Sequence, residues 1–436
     1  MRDFIRAISA KTTMGMAAML LSSCADTAAP IAPPTFNTAA MDSLLSAAVE
    51  QGEVIGVSAL VFDEGQTVYT NAFGLADRER ATPMTMDTVL RIYSMTKPVT
   101  SAVIMDLMEE GKLSLSDPAA KYIPGLANMQ VASLGPDGTP MLNPQENPMT
   151  IEDLLLHRAG LGYGIFGPIN GVEDAYMKAG LFDPTQTMET VVDKITGLPL
   201  LQQPGTAWYY SLSIDVLGRI AEVIEGKPLG DIMQERIFEP LGMTETSFLV
   251  RPDQVARFAS NYAVTPDGFV LEDDGQDSPF AKPTSRLQSG GGGLVSTLED
   301  YAKFAQMMLD GGIYNGQRIL DTGTVEMMMS PVMDADDTYL FPWLGGDTDV
   351  GFGYGGAVVY ADSPKGQSLR GQTTGQWGWS GAARTQFWVD PKNDAFGIIM
   401  LQMFVADDPA IHDAFQALAY AQTRDDLAEA NIETAQ

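Results

Sequence analysis

The sequence predicts an α/β fold of the α+β type, with an antiparallel sheet built from both ends of the chain and flanked by helices. A mainly helical region is inserted between the two halves of the sheet. Three observations predict it. Strand-like runs Gly56–Phe62 and Thr67–Phe73 are joined by Asp63-Glu64-Gly65-Gln66, a hairpin signal. Helical patterns dominate from about Ser94 to Glu239. Strand character returns at Gly356–Tyr360, Thr385–Val389 and Phe396–Met403. Sheet elements at the two ends with helices between them imply one discontinuous layered domain, with a pocket where its two regions meet.

The elements follow in order. Arg2, Arg6 and Lys11 precede the apolar stretch Met14–Leu21, which is too short to span a bilayer as a permanent helix but fits a leader. It ends in Leu21-Ser22-Ser23-Cys24, similar to a bacterial lipoprotein box in which Cys24 is lipidated. Residues 1–23 are therefore expected to be a signal peptide. The expected location is the bacterial envelope, with the lipid anchor in the periplasm or outer membrane. Cys24→Ala would then leave a lighter, soluble protein, and unchanged mass and membrane fractionation would count against the anchor. Cys24 is the only cysteine, so no disulfide forms within the chain and no cysteine cluster holds a metal.

Residues 24–37, rich in alanine and proline, read as an extended tether. The catalytic domain is expected over 38–430, with sheet regions at about 38–93 and 290–430 and a helical region at about 94–289. It opens with a helix near Met41–Glu50 and closes with one from about Pro409 to Glu429. Leu134–Pro148 and Gly160–Gly171 read as proline- and glycine-rich loops.

Composition narrows the function. The chain has 436 residues, 45% of them hydrophobic, enough for a sizeable core. Mean hydropathy is -0.02. Acidic residues number 56 against 26 basic ones, a net charge of -30, and this excludes the basic face that nucleic acid requires. The acidity is spread along the chain, as a solvated surface would be.

The chemistry is carried by Ser94-Met95-Thr96-Lys97. Three-residue spacing at the head of an apolar helical run puts the hydroxyl and the amine on one face. A serine is a weak nucleophile until a base takes its proton, and a lysine can be that base only with a neutral amine. Unpaired N–H groups at a helix start can stabilise an oxyanion. The same serine could also be a simple cap.

A second candidate is the tyrosine pair in Pro204-Gly205-Thr206-Ala207-Trp208-Tyr209-Tyr210-Ser211, at a helix entrance. A phenol there can relay protons or merely pack. A third is Trp377-Gly378-Trp379-Ser380-Gly381-Ala382, running from a glycine-rich turn into a strand. Its small residues would let a ligand approach the backbone.

In order and spacing these three segments resemble the serine β-lactamase and penicillin-binding-protein superfamily, and most closely its class C-like family VIII carboxylesterases. Ser94-Met95-Thr96-Lys97-Pro98 is similar to that branch's S-M-T-K-P. Pro204–Leu212 resembles its P-G-T-x-W-x-Y-S-L, and Trp379-Ser380-Gly381 stands in place of its W-G-G. Leu154–Gly164 and Ser289–Thr297 also look familiar, and the resemblance spans roughly Met41–Tyr420.

The resemblance implies a β-lactamase-like fold and a serine hydrolase that cleaves carboxylic esters, with short-chain esters expected. Ser94 would form the acyl-enzyme, and Lys97 and Tyr210 would share proton transfer, Tyr209 being the rival of Tyr210. The backbone N–H groups of Ser94 and Ala382 would form the oxyanion hole. Trp379, Ser380 and Gly381 would line the pocket, with Tyr163 at its entrance.

Two departures favour esters over lactams. Trp379 replaces the lysine that helps β-lactamases bind a substrate carboxylate, and Leu212 replaces an amide donor. Other readings of the same fold are a β-lactamase, a D-amino-acid peptidase or amidase, and an acyltransferase. A non-catalytic envelope binding protein would not need the full Ser94, Lys97 and Tyr210 set. A Ser-His-Asp triad is disfavoured: the only histidines are His157, read as loop packing, and His412, in the last helix. No cofactor or metal is implied. The expected partner is a small-molecule ester or amide, with membrane contact only through the anchor. The oligomeric state is not fixed by the sequence.

Overall fold

Eight antiparallel strands form the main sheet of the computed structural model, which describes residues 36–166, 171–334, 336–340, 349–360, 373–405 and 409–423. Across the sheet the strands are Val350–Phe352, Ala357–Val359, Trp377–Ser380, Gln386–Asp390, Ala395–Met400, Gly56–Asp63, Gln66–Asp77 and Thr82–Pro83. The two ends of the chain meet where Gly56–Asp63 pairs with Ala395–Met400, Ser58 opposite Met400. All described residues belong to one compact unit that begins at Phe36. The proposed leader, Cys24 and most of the tether lie outside the described residues.

The early hairpin turns at Glu64 and Gly65, whose φ angles of 46° and 80° fit a tight turn that follows the twist of the strands. Period-two alternation builds a core on each face. In Gln386–Asp390, Phe387 and Val389 enter the larger core with Tyr301 and Phe304 of helix Leu298–Leu309. Trp388 enters the opposite core with Met41 and Leu45 of helix Thr38–Glu50 and Phe415 of helix Ala410–Thr423. These two-sided strands have little polar surface, which is why they read as apolar runs.

The structure changes several expected boundaries. Part of the loop expected at Leu134–Pro148 is a hairpin, with Gln130–Leu134 paired to Pro140–Pro144. The glycines and proline that suggested a loop are its turn: Gly138 has φ 81° and its N–H donates to the Gly135 carbonyl at 2.9 Å. The strand expected over Phe396–Met403 breaks after Met400, and Met403–Phe404 instead pairs in parallel with Tyr262 and Ala263. At the break the Gln402 side chain accepts from the Arg91 N–H (3.1 Å) and donates to its carbonyl (3.0 Å), imitating a strand partner. The last described helix ends at Thr423, and the rest of the expected helix lies outside the described residues.

The segments that carry the motifs converge beside the sheet. Helix Thr96–Glu109 packs on helix Ser213–Glu225 within the larger core, and strand Trp377–Ser380 approaches the start of the former. Among the described residues, no helix is long and apolar enough to cross a membrane.

Candidate active site

Ser94 sits in a single 3-10 turn, Tyr93–Met95, that leads into helix Thr96–Glu109. Tyr93 before it has φ 40°, a left-handed backbone that is uncommon for a bulky residue. Strain of this kind costs on the order of 1–3 kcal/mol and persists only where the surroundings enforce it. Here the Tyr93 ring packs on Phe404 at 5.7 Å, the Tyr301 hydroxyl donates to the Met95 carbonyl (2.9 Å), and the Leu294 N–H donates to Thr96 Oγ1 (3.2 Å). The result is a partly exposed Ser94 on a firmly held turn.

Lys97, one turn further on, is buried to 1% exposure. Its Nζ donates to Gly291 O (2.6 Å) and lies 3.3 Å from both Ser94 Oγ and the Tyr163 hydroxyl. It also stands 4.5 Å from the Tyr210 ring centroid. Burial works against its charge, but Tyr163, Tyr210 and the Asp215 carboxylate outweigh that and raise its pKa above the ordinary lysine value. The neutral amine that the sequence reading required is therefore not what this environment favours, because acceptors surround Nζ.

Sequence reasoning missed Asp215. It lies on the buried face of helix Ser213–Glu225 among Ile214, Val216 and Leu217. Ser289 Oγ and the Gly291 N–H donate to its Oδ1. Burial raises its pKa, with Lys97 and these hydrogen bonds opposing. Gly291 thus links the two charges, its carbonyl on Lys97 and its N–H on Asp215. A Cβ there would stand 2.3 Å from Asp215 Oδ2, so the glycine is a packing requirement. A lone acid in an apolar helical run was the available signal.

The two candidate tyrosines point different ways. Tyr210 accepts a hydrogen bond from Trp379 Nε1 at 3.1 Å, and its ring stacks on Tyr163 at 5.4 Å. Tyr209 is fully buried, and its hydroxyl faces the Glu173 carboxylate. Tyr163, expected at the pocket entrance, is 8% exposed, with its hydroxyl on Lys97. Burial pushes its pKa up to about 12 against the pull of Lys97. Half-exposed Phe182, stacked 6.0 Å from Tyr163, takes the outer position.

Strand alternation turns Trp379, paired opposite Phe387, toward Tyr210 and Phe352, and sends Ser380 to the other side, exposed. The small residue at Gly381 serves the chain itself: a Cβ there would meet Ile92 O at 2.4 Å, two residues before Ser94. Ala382 follows in an exposed turn, and among the described residues its N–H donates to no other group. Of the expected site residues, the structure brings Ser94, Lys97, Tyr163, Tyr210 and Trp379 into one cluster, with Gly381 against its edge.

Comparison with known proteins agrees with this architecture. The family described as Beta-lactamase matches residues 41–422. Protein Rv1367c of Mycobacterium tuberculosis is 35% identical over 357 residues, covering 81% of this chain and 87% of that protein. Esterase EstB of Burkholderia gladioli is 29% identical over 299 residues, covering 63% and 72%. The structure of EstCE1, a hydrolase with promiscuous acyltransferase activity, superimposes with a TM-score of 0.72 at 25% identity, covering 87% and 97%. With the sheet and the three motif segments in place, the chain belongs to the Beta-lactamase family of hydrolases, on the side related to the family VIII esterases.

Proposed function

We propose that this protein is a serine hydrolase that cleaves carboxylic esters, short-chain ones in particular, through an acyl-enzyme on Ser94. The observation that carries the reading is the convergence of Ser94 Oγ, Lys97 Nζ and the Tyr210 hydroxyl, with the Trp379 N–H directed at the tyrosine. An ammonium has no lone pair, so a charged Lys97 acts as a donor. The base is then the phenolate form of Tyr210, held beside the Lys97 ammonium and the Trp379 N–H, and its oxygen receives the Ser94 proton.

Ser94 Oγ attacks the ester carbonyl, and the oxyanion is held by the N–H groups of Ser94 and Ala382. The bond to the leaving alcohol then breaks, and that alkoxide takes the proton from Tyr210. In the second half, water gives its proton to Tyr210, attacks the acyl carbon, and Ser94 leaves with the proton restored.

The preference for esters rests on Trp379 and Leu212. The indole N–H is engaged by Tyr210 and brings no cation for a substrate carboxylate. Leu212, buried at 2%, offers no amide donor. EstB, an esterase by name, supports this reading. The activity of EstCE1 supports a second one, transfer of the acyl group to an alcohol in place of water.

The test is parallel hydrolysis of a short-chain p-nitrophenyl ester and a chromogenic cephalosporin by protein lacking residues 1–24, with Ser94→Ala as control. Ester turnover far above cephalosporin turnover, both lost in Ser94→Ala, is expected. Dominant cephalosporin turnover would make the protein a β-lactamase. Adding a primary alcohol and measuring the new ester against free acid reads the transferase arm.

A further inference from the structure

His157 is not used by the chemistry above, yet it touches the chain on both sides of Tyr210. The Tyr209 N–H donates to the His157 carbonyl at 2.9 Å. The Ser211 N–H donates to His157 Nδ1 at 3.2 Å. Between these two bonds, the Tyr210 ring lies 4.8 Å from the imidazole. One residue therefore holds the backbone N–H one position before the phenol, the backbone N–H one position after it, and one side of its ring.

His157 is itself held firmly. It is 1% exposed, and Trp208 and Phe352 meet its ring edge-on at 6.1 and 5.6 Å. Its φ is 53°, so its backbone turns sharply after helix Ile151–Leu155 to face the Tyr210 loop. Nδ1 accepts from a backbone N–H, which places the ring proton on Nε2. Burial and the Lys97 charge hold the ring neutral, its pKa well below 6.5, and so keep that lone pair available.

We infer that His157 is a positioning residue for Tyr210, holding the phenol against Lys97 and Trp379 by clamping the backbone N–H groups of the residues on either side of it, Tyr209 and Ser211. This rests on the reading of Tyr210 as the proton-transfer residue. Any residue at position 157 would offer the carbonyl, whereas the Nδ1 acceptor belongs to the side chain. Asparagine is the substitution that preserves it, since its Oδ1 reaches a similar position and asparagine tolerates a positive φ. Phenylalanine keeps a ring but offers no acceptor.

The experiment is steady-state ester hydrolysis by wild type, His157→Phe, His157→Asn, Tyr210→Phe and the His157→Phe/Tyr210→Phe double variant. Labelling of Ser94 by a fluorophosphonate is followed by mass where turnover is too slow. His157→Phe is expected to lower kcat by about tenfold to a hundredfold with KM little changed, the range that a misplaced catalytic group costs. His157→Asn is expected to recover most of that loss. In the Tyr210→Phe background, His157→Phe should add little, because the two act as one unit.

Equal losses in both backgrounds, or the same loss in the Asn and Phe variants, would overturn the inference. Wild-type turnover by Tyr210→Phe alone would instead refute the underlying role of Tyr210. If His157→Phe does not fold, nitrogen NMR of the wild type decides, since the chain has only two histidines. A buried ring protonated on Nε2 and bare on Nδ1 supports the clamp, and a proton on Nδ1 overturns it.

Discussion

At the scale of single residues, Trp379 has two effects that one substitution can separate. Its indole excludes the cation that would bind a substrate carboxylate, and its N–H donates to the Tyr210 oxygen at 3.1 Å. Trp379→Phe removes only the second. A hydrogen bond to a group that carries charge during the reaction is worth ~1.5–3 kcal/mol, and part of it is recoverable from water. The expected result is a fall in kcat of about tenfold, the kinetic equivalent of ~1.4 kcal/mol, with the ester-to-cephalosporin ratio unchanged. A fall in KM-dependent binding alone would assign Trp379 to the substrate and not to Tyr210. Trp379→Lys restores the cation and is expected to raise cephalosporin turnover relative to ester turnover.

At the scale of elements, the proposed chemistry requires the end of strand Trp377–Ser380 to lie close to the turn that carries Ser94. Gly381 sets that distance. A Cβ there would stand 2.3 Å from Thr385 Oγ1 and 2.4 Å from the Ile92 carbonyl oxygen, and the latter, being backbone, does not swing aside. Gly381→Ala is therefore expected to push the strand end away from Ser94. Overpacking of this kind costs roughly 1–3 kcal/mol. Melting temperature and kcat should fall together, checked by thermal unfolding and ester turnover on one preparation. Unchanged activity with lowered stability would show that the strand end does not govern the site. The hairpin Gln130–Leu134/Pro140–Pro144 makes the opposite point about legibility. Its turn residues were visible in the sequence, but the residues flanking them are exposed (Leu134 57%, Leu142 59%) and lack the alternation that marks a half-buried strand.

At the scale of the whole molecule, burial of neutral His157 links stability to pH. Its folded pKa lies well below the ordinary 6.5, so on acidification the unfolded chain takes up a proton that the folded chain refuses. The contribution is fully present above about pH 6.5 and is lost as pH falls below it. For this one group the loss between about pH 7.5 and 5.5 is ~1.4 kcal/mol. Denaturant unfolding at the two pH values should show a wild-type drop that exceeds that of His157→Asn by about this amount. Equal slopes would mean that His157 is protonated within the fold.

Much of this protein was legible in its sequence because the signals are local. The spacing of Ser94 and Lys97 places them on one helix face whatever surrounds the helix. The Glu64-Gly65 turn fixes its hairpin through backbone preference. Motif spacing prefers Tyr210 over Tyr209, and the structure adds that their surroundings differ: one hydroxyl meets the Trp379 N–H and the other faces Glu173.

What the tertiary structure alone decided depends on groups far apart in the chain. The charge state favoured at Lys97 is set by Tyr163, Tyr210 and Asp215, none of them its sequence neighbours. The strained backbone at Tyr93 is enforced by contacts with Tyr301, Leu294 and Phe404. The two bonds between His157 and the N–H groups of Tyr209 and Ser211, the residues on either side of Tyr210, join segments more than fifty positions apart. Helix period, turn chemistry and motif order are properties of a short stretch of chain, so the sequence determined the elements and the kind of chemistry. Burial, electrostatic neighbours and strain are properties of a packed interior, so which proton sits where was decided only once the chain had folded.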